Sequence, residues 1–157
     1  MVATFAVERT RTIPAPVPKV YGLVVDFRQW PRWSPWEDVD PDLHRSYGGA
    51  ESGQGSTYAW SGNRKAGAGS MSITQAEENQ LVDIDLVFEK PFKARNRTTF
   101  TFTPQGESTV VTWRMEGPRP LMMRVLGPLM NPDKFIGNDF DKGLDRMALV
   151  APPPDAS

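Results

Sequence analysis

The residues able to do chemistry are few, and their spacing rules out most familiar constellations. His44 is the only histidine and the chain has no cysteine, which excludes thiolate nucleophiles, disulfides and metal sites built from several histidines or from histidine and cysteine. A lone histidine is read as an ordinary polar residue, the alternative being an acid or base at the mouth of a pocket. Asp38, Asp40 and Asp42 are spaced like the start of a calcium loop, but Leu43 and Gly49 occupy the positions that need glycine and glutamate, so they read as a solvated acidic turn. Gly48 to Ser56, GGAESGQGS, holds neither a GK[ST] phosphate loop nor G-x-G-x-x-G and reads as a flexible hairpin connection. Asp83 and Asp85 share one face of a strand opposite Ile84, Leu86 and Phe88, so both are expected in solvent rather than paired for catalysis. Asn96-Arg97-Thr98 matches a glycosylation acceptor, which carries no weight without a secretory signal. No catalytic residue, metal site or cofactor is expected.

The frame that must position any site is a single domain, taken as 1–150, with a disordered tail at 151–157. The 157 residues suffice for one sizeable core, and 39% hydrophobic residues with 13 glycines suit a globular chain. Eighteen basic and nineteen acidic residues leave a net charge of −1, so nothing would gather nucleic acid or hold an anionic membrane. No apolar run approaches the roughly 18 residues of a membrane span, and the N-terminus lacks a secretory pattern, so a cytoplasmic protein is expected.

Phe5 to Ile13 alternates as a strand does and stops at Pro14 and Pro16. Pro18 suits the first turn of a short helix carrying Val20, Leu23, Val24 and Phe27 at helical spacing. WPRWSPW, Trp30 to Trp36, follows. Its prolines bias the preceding residues toward extended backbone, which predicts a structural corner and leaves open whether Trp33 lines a pocket or closes it.

From about 43 to 117 the period is two. Tyr58 and Trp60, then Met71 and Ile73, then Val82, Ile84, Leu86 and Phe88, fall on apolar faces. So do Phe100 and Phe102, followed by Val111, Trp113 and Met115. Turn signals at Gly62-Asn63, Glu78-Asn79, Lys90-Pro91 and Gln105-Gly106 predict an antiparallel meander with one wet face. Asn131, Pro132 and Asp133 then open a long amphipathic helix with Ile136, Phe140, Leu144 and Met147 on one stripe. Gly143 falls in that stripe, so either the helix comes very close to the sheet there or open volume lies beneath it. One strand, short helices, about six strands and one covering helix make an α+β two-layer domain.

The segments Arg11 to Tyr21, Val25 to Trp36, Gly53 to Trp60, Lys65 to Thr74 and Val110 to Gly117, in this order, resemble the START-like superfamily. The resemblance is to its polyketide cyclase/dehydrase-like branch, also called SRPBCC proteins, and covers nearly the whole chain. It implies the helix-grip fold: a curved antiparallel sheet of about seven strands around a long C-terminal helix, with two short helices after strand 1. It also implies an apolar cavity between sheet and helix. The expected lining is Trp33, Tyr58, Trp60, Met71 and Ile73 on one side, with Ile84, Leu86, Phe88, Thr98 and Phe100 beside them. Phe102, Trp113, Met115, Phe140 and Leu144 complete it. Tyr58, Trp60, Trp113 and Thr98 could offer hydrogen bonds there.

The implied partner is a small hydrophobic ligand such as a lipid, polyketide or quinone, held by a carrier or sensor. A cyclase/dehydratase-type enzyme using His44, Tyr58 or Arg97 is one alternative, and an Hsp90-ATPase-activator-like interaction protein is another. The methionine-rich run 120–130, PLMMRVLGPLM, reads as a lid, a transient membrane contact or core. A monomer and a homodimer are equally compatible.

Overall fold

The computed structural model describes residues 4–35, 42–63, 67–90, 93–118 and 132–151. Trp36, Asp38, Asp40, Lys65, Pro91, the methionine-rich run 120–130, Asn131 and the tail from Pro152 lie outside them. Ala151, assigned to the tail from the sequence, is buried, and its N–H donates to the Met147 carbonyl at 3.0 Å.

Strand β1 (Thr4–Ile13) is followed by helix α1 (Val17–Val25), a 3₁₀ helix (Phe27–Arg32) and strands β2 (His44–Gly49), β3 (Ser56–Ser61) and β4 (Ala68–Glu77). Strands β5 (Leu81–Lys90), β6 (Ala94–Gln105) and β7 (Ser108–Pro118) precede the C-terminal helix α2 (Pro132–Val150). All neighbours are antiparallel, in the order β1-β7-β6-β5-β4-β3-β2, so the meander folds through tight turns and β1 closes onto its far edge. Asn79 and Gly106 supply the positive φ (60° at each) that the β4–β5 and β6–β7 turns require. The expected curved sheet with one gripping helix is the fold observed.

The tryptophan-proline stretch departs from its expectation. Residues 27–32 continue as a 3₁₀ helix with Pro31 inside it, rather than as extended chain. Proline's fixed φ fits a 3₁₀ turn, and in so short a turn its missing N–H costs little. α1 nevertheless ends at Val25, and the tryptophans are part of the reason the ending is stable. The last carbonyls of a helix have no intrahelical partner. Here the Trp30 indole donates to the Val24 carbonyl at 2.9 Å and the Trp33 indole to the Leu23 carbonyl at 2.7 Å. Two indoles thus finish α1 while their rings enter the core.

The glycine-rich connection is also more tied down than its composition predicts. The Gly53 N–H donates to the Val25 carbonyl, and the Gly55 N–H to the Ile73 carbonyl. The Ser56 hydroxyl donates to the Ala50 carbonyl at 2.9 Å. These bonds fix the loop between α1 and β4.

On the outer face, Asp83 corrects the expectation of solvated carboxylates. It is buried, because Arg97 donates to it at 2.9 Å and the Thr99 hydroxyl at 2.6 Å from the neighbouring strand. Asp85 is held bidentately by Arg95 at 2.9 and 2.6 Å. The Asp83 hydrogen bond, reinforced by the carboxylate's charge, holds the Arg97 guanidinium above its ordinary pKa.

Helix α2 is fastened at β1 and β7. Arg9 and Arg11, on the helix side of β1, form ion pairs with Asp141 (3.4 Å) and Asp145, one helical turn apart. Phe140 stacks on Trp113 with ring centres 4.1 Å apart and planes 9° off parallel. Gly143 lies against the same indole: a Cβ there would meet Trp113 Cζ3 at 2.9 Å and Pro35 Cδ at 3.1 Å. Of the two explanations for this glycine, close approach is the one realised.

Candidate functional site

Because strands alternate sides, the pairing registers sort the inner face into rows that run across the sheet. The row nearest α1 contains Phe102 and Val111, and Tyr21 of α1 meets Phe102 edge-on at 5.4 Å. The next contains Val82, Phe100 and Trp113. The third contains Ile73, Ile84, Thr98, Met115 and Val7. The fourth contains Tyr47, Tyr58, Met71, Leu86 and Asn96, with Gly117 beyond. The last contains Arg45, Trp60, Gly69 and Phe88, at the end of the sheet far from α1.

The first two rows are filled with protein. Trp33 is fully buried and lies 5.9 Å from Phe100, 5.5 Å from Trp113 and 4.6 Å from Trp30, while Phe100 stacks on Trp113 at 4.8 Å. Phe140 and Leu144 close this cluster from α2. Each such aromatic contact contributes about 0.5–1.5 kcal/mol beyond its buried area. Of the candidate lining residues, Trp33, Phe100, Trp113 and Phe140 are thus joined ring to ring. With Leu144 and Phe102 they belong to one buried core that also takes in Tyr58, Met71, Ile73, Ile84, Leu86 and Met115, while Trp60 and Phe88 pack against it only partly buried.

Toward the other end the character changes. Trp60 and Phe88 are only half buried and meet edge-on at 5.8 Å. Tyr58 joins them, stacked at 6.1 Å from Trp60, and continues to Tyr47 at 5.4 Å and Phe27 at 5.9 Å. The Arg28 guanidinium rests over the Tyr47 ring at 5.0 Å. The Trp60 ring lies over Gly69, where a Cβ would come within 2.6 Å of it. This margin is a connected aromatic surface, half buried at Tyr47, Trp60 and Phe88. Between it and the packed cluster lie Met71, Ile73, Ile84, Leu86, Thr98 and Met115, all buried.

Two polar side chains stand in this middle zone. Asn96 and Thr98 are 5% and 3% exposed, and Asn96 Oδ1 and Thr98 Oγ1 have no hydrogen-bond partner. Asn96 has its place because Gly117 opposes it: a Cβ on Gly117 would fall 2.4 Å from Oδ1. Thr98 was expected on this face from alternation with Phe100. Asn96 was missed, although the same period of two selects it; a polar side chain at an inward position was the available signal.

The candidate acids and bases are scattered. His44 is exposed at the start of β2, and Arg97 points outward to Asp83. Of the three, Tyr58 alone faces inward, buried between Phe27, Tyr47 and Trp60. Among the described residues no group of three histidine, cysteine or acidic side chains is arranged to hold a metal ion. Nor, among them, is any helix long and apolar enough to cross a membrane.

With this geometry in view, residues 4–151 match the sequence model of the family described as polyketide cyclase / dehydrase and lipid transport. The chain belongs to that family. No curated protein matches the sequence. Among solved structures, a START superfamily protein from Mycobacterium smegmatis superposes with a TM-score of 0.66 at 15% identity, over 93% of this chain and 96% of that one. A Chromobacterium violaceum protein gives 0.67 at 15% identity, over 94% and 98%. A protein of the dynemicin biosynthetic locus gives 0.63 at 18% identity; it covers 92% of this chain, which spans 46% of that longer one. At these identities the likeness carries the fold alone. Membership of the polyketide cyclase/dehydrase and lipid transport family supports a ligand-binding helix-grip domain.

Proposed function

We propose that this protein binds a small apolar or amphipathic molecule between its sheet and α2, as a cytoplasmic carrier or sensor. The observation that carries the reading is the change along the inner face, from a cluster filled by the protein's own rings to a half-buried aromatic margin of Tyr47, Trp60 and Phe88. A globular chain gains by covering such rings, and a connected apolar surface left half buried at one end of a concave sheet suits an apolar guest. The binding zone is the middle rows together with Tyr58, Trp60 and Phe88, and the Trp33 cluster is its floor. The family's lipid and polyketide chemistry supports the same class of guest.

Displacement of an apolar fluorescent dye by a panel of lipids, quinones and polyketides, with native mass spectrometry of the purified protein, tests this. Binding should be weakened in Trp60→Ala and Phe88→Ala and kept in the exposed-site control His44→Ala. No displacement by any panel member, with no adduct by mass, would sink the reading.

A further inference from the structure

We propose that the guest carries a neutral hydroxyl, an alcohol or a phenol, and that Asn96 and Thr98 together recognise it. This rests on the binding reading above and deepens it. Both side chains project from β6 onto the inner face of the sheet, two residues apart and hence about 6.6–6.8 Å between Cα atoms. Both polar atoms are buried and unpartnered. Removing a hydroxyl and a carboxamide oxygen from water without a partner is costly, and native structures nearly always provide one. Gly117 adds to the case, since any side chain there would occupy the position of Asn96 Oδ1. One hydroxyl answers both groups: it donates to Asn96 Oδ1 and accepts from the Thr98 hydroxyl, and if the carboxamide is turned over the directions simply reverse.

The third and fourth rows, which contain these two residues, hold no charged side chain. Charged side chains of the inner face stand in the neighbouring rows, Arg9 beside Trp113 and already paired with Asp141, and Arg45 beside Trp60. An ionised head group held between Asn96 and Thr98 would have no counter-charge in its own rows, so a carboxylate or phosphate is disfavoured against a neutral hydroxyl. From Asn96 the apolar body of the guest would extend over Leu86 and Met71 toward the half-buried Trp60–Phe88 margin, with its polar end innermost.

Three probes of one shape test this at pH 7: 2-naphthol, 2-methylnaphthalene and 2-naphthoate, titrated against tryptophan fluorescence and calorimetry. Wild type should bind 2-naphthol about ten-fold more tightly than 2-methylnaphthalene, the equivalent of about 1.4 kcal/mol. It should bind 2-naphthoate more weakly than either. In Thr98→Val and in Asn96→Leu the preference for 2-naphthol should fall toward unity while 2-methylnaphthalene binding is kept. Thr98→Val conserves shape and removes an unpartnered hydroxyl, so its melting temperature without ligand should rise. Equal binding of naphthol and methylnaphthalene by wild type overturns the hydroxyl assignment while leaving the apolar site standing. A preference that survives both substitutions overturns the assignment to these residues, as does tighter binding of naphthoate or a lowered melting temperature in Thr98→Val. Binding of none of the three refutes the cavity and the hydroxyl site together.

Discussion

Replacing Gly143 and Gly22 by alanine separately sets one gain against two different surroundings. Each glycine is inside a helix, and alanine in its place stabilises a helix by about 0.8–1.0 kcal/mol. At Gly22 in α1 nothing lies within 4 Å of the added methyl, so that gain should appear nearly whole. At Gly143 the methyl would be 2.9 Å from Trp113 Cζ3 and 3.1 Å from Pro35 Cδ. Trp113 cannot step aside cheaply, since Phe140 and Phe100 stack against it at 4.1 and 4.8 Å. Overpacking of this kind costs about 1–3 kcal/mol. Subtracting the helix gain leaves Gly143→Ala less stable than wild type by about 0–2 kcal/mol, while Gly22→Ala is more stable by about 1. For a domain of this size the two variants should therefore melt apart by about 2–12 °C, at about 2–4 °C per kcal/mol. Urea unfolding followed by tryptophan fluorescence and far-UV circular dichroism measures both, with an unchanged m-value as the check that midpoints report stability. If Gly143→Ala is stabilised as much as Gly22→Ala, α2 does not press on Trp113 and the close-approach account of this glycine is wrong.

Two further outcomes follow from the packing. Trp33→Ala should lose about 3–5 kcal/mol, because it empties the centre of the aromatic cluster and removes the donor to the Leu23 carbonyl. If, under conditions where the variant is folded, it binds the naphthol probe as wild type does, Trp33 closes the site; a selective loss of binding would make it part of the lining. The Tyr21 phenol is raised above its ordinary pKa, mainly by desolvation and secondarily by Glu78. Its folded value therefore exceeds its unfolded one, so stability is intact below pH 10 and declines as pH rises through the folded value. Tyr21→Phe should show a shallower decline between pH 9 and 11 in urea titrations, and an identical slope would show that this phenol does not contribute.

The order of elements was legible because the two periods are clean. Alternation over Leu81–Phe88 and Thr98–Thr103 marks a half-buried strand whatever it pairs with, and the 3.6-residue stripe from Ile136 to Met147 marks a helix with one face to cover. That periodicity also put Thr98 on the inner face, and the ordered segments already carried the family resemblance. What each inward residue touches was not legible, since period gives a face and not a partner. Gly143 could be named as a problem but not solved until α2 was seen against Trp113. Arg9 and Arg11 were read only as part of an alternating strand, and Asp141 and Asp145, more than 130 residues away, reveal why charges stand on its helix side. Asp83 alternated like a solvent-facing residue, yet Arg97 and Thr99 on the adjacent strand bury it. Trp30 and Trp33 looked like rings and proved also to be donors for the end of α1, because only the folded turn brings their indoles back over it. Local backbone preference and burial pattern are written residue by residue, and they determined the elements and the faces. Pairing register, the tight stacking around Trp113 and the unpartnered state of Asn96, opposite Gly117, and of Thr98, opposite Met115, depend on contacts between distant segments, and only the tertiary structure decided them.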